Sequence, residues 1–396
     1  MMMGGRRCGK TSVLASMFDA ATHGIVKNYL TVADDTDNGQ IKDGENIDSL
    51  NVKKAELIDF LDSYNTGKYL IDQSPTEKPW EYRLKIKRPG TDEDMFIHFW
   101  DVPGEYCRRG NDHSREVSEY VATCDVYVVV IDTPFLMEAA NPDNKLCSEG
   151  INLLVNRVDD IQQFLTYIND DNGRDGKMVL FCPVKCEKWF NEGRINEVNN
   201  RIKEVYGTII TNLRGYEKID ISIIPALTAG NIEFAEHKEA LALHDNPSLL
   251  KYKKIRDKWG TVKCCYVDDG QIRIRLADGT THNKRHTDTV NEHPDGEIIG
   301  SKKARPFSWF VTRYNVDSKL NGYKPVNCEQ VPLHIIRFMV KKYFKERSFW
   351  ERTKEWFGQI FGKIDPKALE RIIADMKKDG VIKDGVDGIE HIKQVY

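Results

Sequence analysis

The architecture of this chain can be inferred from one segment near its start, Gly4-Gly5-Arg6-Arg7-Cys8-Gly9-Lys10-Thr11-Ser12. The segment fits the pattern G-x-x-x-x-G-K-[ST] in full. In this pattern the glycines let successive backbone N–H groups curl around phosphate oxygens, and the lysine reaches the terminal phosphates. The Thr11 hydroxyl is then expected on Mg²⁺, and the run from Thr11 to Phe18 predicts a helix whose N-terminus favours an anion. The sequence therefore predicts a cradle for the phosphates of a nucleotide.

The strand that should lead into this loop is short. A phosphate loop normally leaves the C-terminal end of a central strand of about 5–6 residues. Only Met1-Met2-Met3 precede Gly4. We therefore expect either a truncated or misassigned start or a short first strand that still pairs.

Length and charge bound the class of protein. With 396 residues the chain exceeds the usual size of one domain, which predicts one large domain with insertions or a domain with an appendage. Its net charge of −3 argues against a surface built as a whole for nucleic acid, which requires a basic footprint. A nucleic-acid partner is therefore not expected.

Cysteine usage and hydropathy indicate the compartment. The nine cysteines form an odd set without a C-x-x-C pair, which is typical of reduced thiols in the cytosol. No apolar run approaches the roughly 20 residues of a membrane span, and no signal peptide is evident. A cytoplasmic protein without a membrane span is expected.

Strands and helices alternate over the first 230 residues, with a loop at 31–45 and a helix at 47–61 before the main series. The predicted elements are a helix at 10–21, paired hairpin strands at 80–87 and 95–100, a buried strand at 126–132, a helix at 151–168, a strand at 178–182, a helix at 194–213 and a strand at 219–224. This alternation predicts an α/β fold in three layers, α/β/α, with a mostly parallel sheet and an antiparallel hairpin at its edge.

The alternation stops after Gly230. Residues 235 to about 325 predict a short helix, an alternating hairpin at 261–278 and a polar loop, and helical spacing resumes at 328–344. Ser348 with Glu351 forms a capping box, and Asp365-Pro366 starts a further helix. The predicted organisation is a first domain at 1–232, an insertion with a β-hairpin at 233–325, the last helix of the first domain at 326–345, and a helical C-terminal extension at 346–396.

A second candidate site segment is Asp101-Val102-Pro103-Gly104, which follows a predicted strand. A carboxylate there can hold a water of Mg²⁺, and a glycine N–H three residues later can sense a γ-phosphate.

With these pieces in this order, the sequence resembles the Ras-like, translation-factor-related class of P-loop GTPases. It is most similar to the GTPase domains encoded in bacterial conflict and defence loci, including the double-GTPase type, over roughly residues 1–232 and 325–345. The resemblance implies a P-loop NTPase fold, bound GTP or GDP with Mg²⁺, and nucleotide contacts along the loop from Gly4 to Ser12. Ser74-Pro75-Thr76 is similar to the first-switch motif, so Thr76 is expected to close on Mg²⁺; Thr31 and Thr36 are rival candidates.

The resemblance also implies a base-reading segment. Val184-Lys185-Cys186-Glu187 stands where the class carries N-K-x-D, so Lys185 is expected on the base and Glu187 in place of the aspartate. A charge-assisted hydrogen bond contributes about 1.5–3 kcal/mol, so a glutamate that cannot reach the base forfeits roughly tenfold to hundredfold in guanine preference. Thr228-Ala229 resembles the last base-contacting motif of the class. For both segments the alternative is an ordinary loop.

Glu105 departs from the class, because Ras-like proteins carry at this position a glutamine that orients the attacking water. An ionised glutamate only accepts hydrogen bonds, and its repulsion with one phosphate charge at about 4 Å is roughly 4 kcal/mol. Glu105 is then a poor water-positioner, a general base, or a residue turned away, and His113 is a second candidate. We expect slow hydrolysis, with Lys10, Thr76 and Glu105 as the catalytic set and acceleration from a partner's arginine or from dimerisation.

Three further patterns in the sequence have a functional and an ordinary interpretation. Cys264-Cys265 with His282 and His286 could suggest a zinc site. Neighbouring residues in a strand point to opposite faces, however, and this disfavours a shared ion. Cys8 is either redox-sensitive or inertly packed. Residues 251–285 hold ten Lys/Arg against four Asp/Glu. This excess of positive charge is more typical of a solvent-exposed face than of a nucleic-acid-binding surface.

The C-terminal extension carries an aromatic and aliphatic stripe at helical spacing: Phe349, Trp350, Trp356, Phe357, Ile360, Phe361 and Ile364. It predicts packing on the first domain, a groove for a partner, or a membrane interface. A protein partner or a homodimer through the insertion or these helices is expected.

The favoured function is a GTP-binding, slowly GTP-hydrolysing switch, possible in a bacterial conflict or defence system. Two alternatives remain. Glu105 and the altered base motif are compatible with a nucleotide-bound adaptor that does not hydrolyse. An ATPase or kinase using the same loop is the third choice.

Overall fold

The computed structural model describes residues 1–5, 8–23, 25–32, 80–86, 95–104, 106, 113–144, 147–166, 168, 176–228, 230, 232–242, 262–268, 271–276, 281–285, 307–316, 324–345 and 366–395. The chain divides into two units, of which the first combines Met1–Phe234 with Asn315–Tyr396 and the second is Ala235–Tyr314. The predicted insertion at 233–325 overlaps the second unit.

The described residues contain thirteen strands. In chain order they are β1 (Met2–Met3), β2 (Leu30–Val32), β3 (Trp80–Ile86), β4 (Met95–Asp101), β5 (Val126–Asp132), β6 (Lys177–Val184), β7 (Ile219–Ile223), β8 (Ile232–Ala242), β9 (Val262–Asp268), β10 (Gln271–Leu276), β11 (Thr281–Arg285), β12 (Phe307–Val316) and β13 (Glu390–Lys393).

The first unit is built on an eight-stranded sheet in the order β13-β7-β6-β5-β1-β4-β3-β2. Strands β4, β1, β5, β6 and β7 pair in parallel, whereas β2, β3 and β13 join their neighbours antiparallel. The sheet is therefore mixed and mostly parallel, and the predicted α/β class is confirmed. The predicted hairpin of β3 and β4 is also present, with Trp80 opposite Asp101 and Ile86 opposite Met95.

The first strand has two residues and nevertheless lies inside the sheet. Met2 pairs with Asp101 of β4 on one side and with Val128 of β5 on the other, and both Met2 and Met3 are fully buried. The Met1 ammonium donates a hydrogen bond to the Val126 carbonyl at 2.9 Å. Two neighbours compensate for the shortness of β1, because Met2 is paired on both edges and Met3 pairs with Val129 of β5.

The described α-helices are α1 (Lys10–His23), α2 (Ser114–Thr123), α3 (Thr133–Glu138), α4 (Glu149–Val155), α5 (Val158–Leu165), α6 (Glu187–Asn191), α7 (Ile195–Val205), α8 (Gly207–Arg214), α9 (Gln330–Lys345) and α10 (Pro366–Lys378). Helix α10 begins at the proline that the sequence marks as a helix start. Among these helices none combines the length and the apolar character needed to cross a membrane.

Two helices that the sequence predicts as continuous are each broken. The predicted helix at 151–168 is α4 and α5, because Arg157 between them has the left-handed angles φ 53° and ψ 38°. The predicted helix at 194–213 is α7 and α8, interrupted at Tyr206 with ψ near 16°. Apolar spacing continues across both breaks, so periodicity alone did not reveal the change in backbone angle.

The strands of the sheet centre are covered on both faces. Val128, Val130 and Leu180 belong to one apolar cluster with residues of α1, α9 and α10. On the opposite side of β6, the Phe181 ring lies 5.3 Å from the Tyr206 ring. All residues of β5 and β6 are buried, as expected of near-continuous apolar strands in a parallel sheet.

At the edge of the sheet the prediction needs a correction. The sequence predicts a loop from Thr31, but Thr31 lies within β2, opposite Lys85 of β3. A three-residue strand is too short to show an alternating pattern. Most of the predicted loop at 31–45 and the whole predicted helix at 47–61 lie outside the described residues.

The second unit contains a five-stranded sheet in the order β11-β10-β9-β8-β12. The predicted hairpin is present as β9 and β10, with Gln271 opposite Asp268. The short helix predicted in this region does not occur among its described residues, and β8, β11 and β12 were missed. Strand β8 is rich in Glu, Lys and Ala, which conceals the alternation between exposed Glu236 and buried His237.

The end of the chain also differs from the prediction. The sequence predicts a helical extension at 346–396 with two helices, but β13 adds an antiparallel strand to β7, with His391 opposite Ser222. Its sequence Glu-His-Ile-Lys lacks the β-branched or aromatic enrichment of a typical strand, so tertiary pairing decides its structure. The capping box and the aromatic stripe of the extension lie outside the described residues.

A partly buried polar network attaches this end of the chain to α9. Arg337 donates two hydrogen bonds to Asp384 and a further one to His334 Nδ1 at 3.0 Å, and His334 Nε2 donates to the Lys383 carbonyl at 3.0 Å. His391 Nε2 lies 2.8 Å from Asp384 Oδ1 and 3.0 Å from the Arg337 guanidinium. His334 is therefore held as the neutral tautomer with its proton on Nε2.

This network predicts loss of stability in acid. Burial, together with the nearby Arg337 guanidinium, lowers the pKa of His334 to about 3. Because the unfolded histidine titrates near 6.5, the unfolded state binds more protons between about pH 6.5 and 3. The free energy of unfolding should therefore fall by up to about 1.4 kcal/mol per pH unit as the pH drops through this window. Urea unfolding followed by fluorescence at several pH values measures this slope.

The matched variants are His334→Gln, which keeps a donor toward the Lys383 carbonyl, and His98→Gln, which changes an exposed histidine. His334→Gln should flatten the slope, whereas His98→Gln should retain it. An unchanged slope in His334→Gln would contradict the assignment.

Candidate functional site

The loop from Gly4 to Gly9 connects β1 to α1 at the carboxyl end of the parallel strands. The chain builds β4 on one side of β1 and then crosses to β5 on the other side. In open α/β sheets, ligands bind at the carboxyl ends of the strands where the order reverses in this way. The segment that the sequence singles out therefore lies at the topological switch point of the sheet.

Two glycines are required by the shape of this loop. Gly9 has φ of 110°, which a residue with a side chain rarely adopts. A Cβ atom at Gly5 would lie 1.8 Å from the carbonyl oxygen of Val155, at the end of α4. The loop backbone is thus in direct contact with the break between α4 and α5.

Lys10 folds back over the loop that precedes it. Its ammonium donates hydrogen bonds to the Gly4 carbonyl at 3.1 Å and to the Gly5 carbonyl at 2.9 Å, and the residue is 6% exposed. An ammonium has three donors and no acceptor, so the loop carbonyls keep it at the mouth of the loop as a compact positive charge.

The Thr11 hydroxyl donates a hydrogen bond to Asp101 Oδ2 at 3.1 Å. Asp101 is the last residue of β4 and is 1% exposed. Hydroxyl and carboxylate oxygens are hard ligands of the kind that Mg²⁺ prefers. The donor set therefore fits the ion that the sequence predicts, and Thr11 and Asp101 are the described residues that would hold it.

Gly104 lies in a tight turn after β4 and is buried, and the N–H of Tyr106 donates to the Pro103 carbonyl at 3.0 Å. The ring of His113 stacks on the ring of Tyr106 with centroids 3.9 Å apart. His113 is exposed at this point. The second candidate for the water-positioning role is thus engaged in a ring contact beside the predicted switch.

Lys185, the predicted base-packing lysine, forms an ion pair with Asp132. Asp132 is the last residue of β5, and its Oδ1 is buried with no hydrogen-bond partner in the described part of the chain. Lys185, the residue after β6, has φ of 56°, a left-handed backbone angle. Sequence reasoning missed Asp132, although a carboxylate that ends a buried apolar strand is a signal that could have been used.

Glu187 and Thr228, the other predicted base readers, are both buried. Glu187 is the first residue of α6 and is 2% exposed. The Thr228 carbonyl accepts a hydrogen bond from the Ser16 hydroxyl of α1 at 3.1 Å. The segment after β7 is thus hydrogen-bonded to α1.

The structure does not describe all predicted site residues. Those with described positions are Gly4, Gly5, Cys8, Gly9, Lys10, Thr11, Ser12, Asp101, Gly104, Lys185, Glu187 and Thr228. The residues outside the described ranges are Arg6, Arg7, Thr36, Thr76, Glu105 and Ala229. Of the predicted residues, Lys10 with Gly4 and Gly5, and Thr11 with Asp101, are in direct contact.

Cys8, a residue of the loop, is fully buried, with its sulfur 4.0 Å from the Lys10 ammonium. Burial raises the pKa of the Cys8 thiol above its usual value, and the nearby lysines oppose this only in part. The thiol therefore stays protonated at neutral pH, and inert packing accounts for it better than redox sensitivity.

Asn156 was not suggested by the sequence. Its side-chain Oδ1 accepts a hydrogen bond from the Asp132 N–H at 2.7 Å, and its Nδ2 donates to the Asp132 carbonyl at 3.2 Å. The same Nδ2 donates to Asn152 Oδ1 at 2.8 Å. The amide extends the hydrogen bonding at the end of β5 and anchors the break between α4 and α5 there.

The His334, Asp384 and His391 side chains also lie close enough together to suggest a metal. The Arg337 guanidinium, however, lies within 3.0 Å of a ring nitrogen on each histidine and is bonded to Asp384. A cation would have to displace this fixed positive charge. The cluster is therefore explained as the network that attaches the C-terminal segment.

The contact at Gly5 predicts a specific loss of stability. In Gly5→Ala the new methyl group would collide with a backbone carbonyl, which cannot move without shifting α4. The free energy of unfolding should fall by about 1–3 kcal/mol, as in other overpacked sites. Urea unfolding midpoints measure the change.

The matched control is Gly207→Ala at the start of α8, where a Cβ atom would meet no atom within 4 Å. This variant should unfold within about 0.5 kcal/mol of the wild type. Equal midpoints for the two variants would contradict the tight contact.

The α/β class of the chain rests on its sheet, in which β4, β1, β5, β6 and β7 run parallel. The chemistry of its loop rests on Lys10, Thr11 and Asp101. Comparison of the chain with protein-family models, with curated proteins and with solved structures finds no match in any of the three.

Proposed function

We propose that this chain is a P-loop GTPase of the Ras-like class, layered α/β/α, that binds GTP, hydrolyses it slowly and acts as a molecular switch. One observation carries the proposal: the Thr11 hydroxyl and the Asp101 carboxylate meet at 3.1 Å, next to the loop that holds the Lys10 ammonium. A hydroxyl at the start of α1 and a carboxylate at the end of the parallel strand β4, beside an ammonium, are the groups that a phosphate with its Mg²⁺ requires.

The proposed phosphate contacts use groups that are already oriented. Lys10 exchanges the carbonyls of Gly4 and Gly5 for phosphate oxygens, and the backbone N–H groups of the loop donate to the same anion. Bound Mg²⁺ neutralises charge that develops on the phosphates. Thr11 and Asp101 orient that ion, and Thr76 and Gly104 sense the γ-phosphate.

For the base we propose Lys185, Glu187, Thr228 and Ala229. The ion pair with Asp132 neutralises the Lys185 charge and fixes its ammonium, so the aliphatic stem is the part left to pack on a planar base. Glu187 is buried at the start of α6, in the place where the class carries an aspartate. Guanine is therefore preferred over adenine, by a smaller margin than an aspartate would give.

Hydrolysis is proposed to be slow because Glu105 replaces a glutamine beside the γ-phosphate. An acceptor-only anion does not donate to a phosphate oxygen and repels it. A protein partner or a second copy of the chain would accelerate the reaction, in a cytoplasmic process such as bacterial defence. The alternative, an adaptor that binds nucleotide without hydrolysis, is favoured by the same glutamate and by Val184 in place of asparagine.

The first test is loss of the lysine. In Lys10→Ala the phosphates lose their main cation, so calorimetric titration with GDP and Mg²⁺ should show at least a hundredfold weaker binding. Lys378→Ala, which removes an exposed lysine from the last turn of α10, should bind like the wild type. Both variants should keep the circular dichroism spectrum of the wild type.

Two results would refute the cradle. In the first, wild type binds neither guanine nor adenine nucleotides in the presence of Mg²⁺. In the second, Lys10→Ala binds GDP with wild-type affinity.

The second test restores the base motif. The double variant is Val184→Asn, Glu187→Asp. The Val184 side chain already lies beside Gly9, since its Cγ2 would be 3.2 Å from a Cβ atom added to that glycine. The side-chain amide of the asparagine would therefore face the loop. The shorter carboxylate matches the class pattern. The ratio of GDP to ADP affinity should rise roughly tenfold, as one charge-assisted hydrogen bond allows.

Glu192→Asp, a change of the same chemistry at an exposed residue beyond α6, is the control and should leave the ratio unchanged. A folded double variant with the wild-type ratio would show that residues 184–187 do not read the base.

A further inference from the structure

Arg157 has an unusual backbone for a residue with a side chain. Its angles of φ 53° and ψ 38° lie in the left-handed region, and it separates α4 from α5. Such angles are unfavourable for residues other than glycine and persist only where the surroundings fix them. Strained residues of this kind concentrate at ligand sites, so the position calls for a functional explanation.

The residue before it supplies the constraint. Asn156 is fully buried and bonds both the N–H and the carbonyl of Asp132, at 2.7 and 3.2 Å. Since Asp132 ends β5, and β5 pairs directly with β1, the α-carbon of Arg157 is held in a fixed position relative to the loop.

That position is next to Gly5. A Cβ atom on Gly5 would lie 3.7 Å from Arg157 Cγ, and the carbonyl of the same glycine accepts from the Lys10 ammonium at 2.9 Å. Lys10 and Arg157 thus approach one residue of the loop from two directions. The guanidinium therefore extends from a Cγ atom that lies beside Gly5.

The present partner of the guanidinium holds it loosely. Arg157 Nη1 lies 3.5 Å from Asp160 Oδ2, whereas a charge-assisted hydrogen bond has a length of about 2.7–2.9 Å. The Arg157 side chain retains 18% exposure. A planar guanidinium matches phosphate oxygens in paired hydrogen bonds, so a phosphate on the loop would compete well for it.

We propose that Arg157 binds the terminal phosphate of a nucleoside triphosphate on the loop and exchanges Asp160 for it. The inference rests on the proposed nucleotide-binding function and adds to it. Arg157 is then a specificity-determining residue that distinguishes triphosphate from diphosphate, and the break between α4 and α5 responds to the nucleotide state without a second chain.

The test compares two ligands on one protein. Calorimetric titrations with Mg²⁺ use GDP and a non-hydrolysable GTP analogue on wild type, Arg157→Ala and Arg157→Gly. In both variants the affinity for the triphosphate analogue should fall roughly tenfold to hundredfold, the equivalent of one charge-assisted hydrogen bond, and the affinity for GDP should stay within about twofold.

Arg157→Gly separates this role from folding. Glycine adopts φ near 53° without strain, so its melting temperature should equal or exceed that of the wild type although the triphosphate preference is lost. Arg194→Ala is the matched control. Arg194 also precedes a helix and pairs with an acidic residue three positions on, Glu197, but it is exposed. It should keep the wild-type ratio of affinities.

The outcomes are distinct. If wild type binds GDP and the analogue but Arg157→Gly keeps their ratio, the role of Arg157 is refuted and the proposed function stands. If Arg194→Ala changes the ratio as much as Arg157→Gly, the effect is one of general charge and the proposal is also refuted. If wild type binds neither ligand, the proposed function and this inference fail together.

Discussion

There is no room for even a methyl group between the α-carbon of Gly5 and the carbonyl oxygen of Val155. This contact sets the distance between the loop that follows β1 and the helices that follow β5. With only two residues, β1 could not fix the position of the loop by itself. Its pairing with β4 and β5 holds the start of the loop, and the contact with the break between α4 and α5 holds Gly5. Substitution at Gly5 therefore affects the loop, the break and the strand ends together.

The ends of the parallel strands and the loop collect charged groups that each have a polar partner within the protein. Asp101 at the end of β4 faces the Thr11 hydroxyl, and Asp132 at the end of β5 pairs with Lys185. Lys10 is satisfied by carbonyl groups of the loop. Each of these groups has a local partner that an anion or a cation can replace at modest cost, because hydrogen bonds are exchanged and not simply lost. Such an arrangement keeps a polar site stable before any ligand arrives.

Much of the sheet could be predicted from the sequence, because its signals are strong and local. The apolar run at Val126–Asp132 and the alternation at Trp80–Ile86 predicted strands in the right places. The loop glycines and Lys10 were likewise predicted from the spacing of the pattern G-x-x-x-x-G-K-[ST]. What could not be predicted depends on contacts distant in sequence. Nothing in the sequence around Asn156 indicates that its side chain bonds the end of β5. Likewise, β13 forms a strand because it pairs with the edge of β7. The left-handed angle of Arg157 leaves no trace in apolar periodicity.

The attachment of β13 to β7 has a consequence for how the protein is made. The first unit is discontinuous in sequence, and its sheet is completed by residues 390–393 together with the network around Arg337. A growing polypeptide emerges from the ribosome with its N-terminal part first, at about 5–20 residues per second. During that time the free edge of β7 is a surface on which another strand could pair. The sheet can close only once residue 393 has left the exit tunnel, so this edge stays open until β13 has emerged.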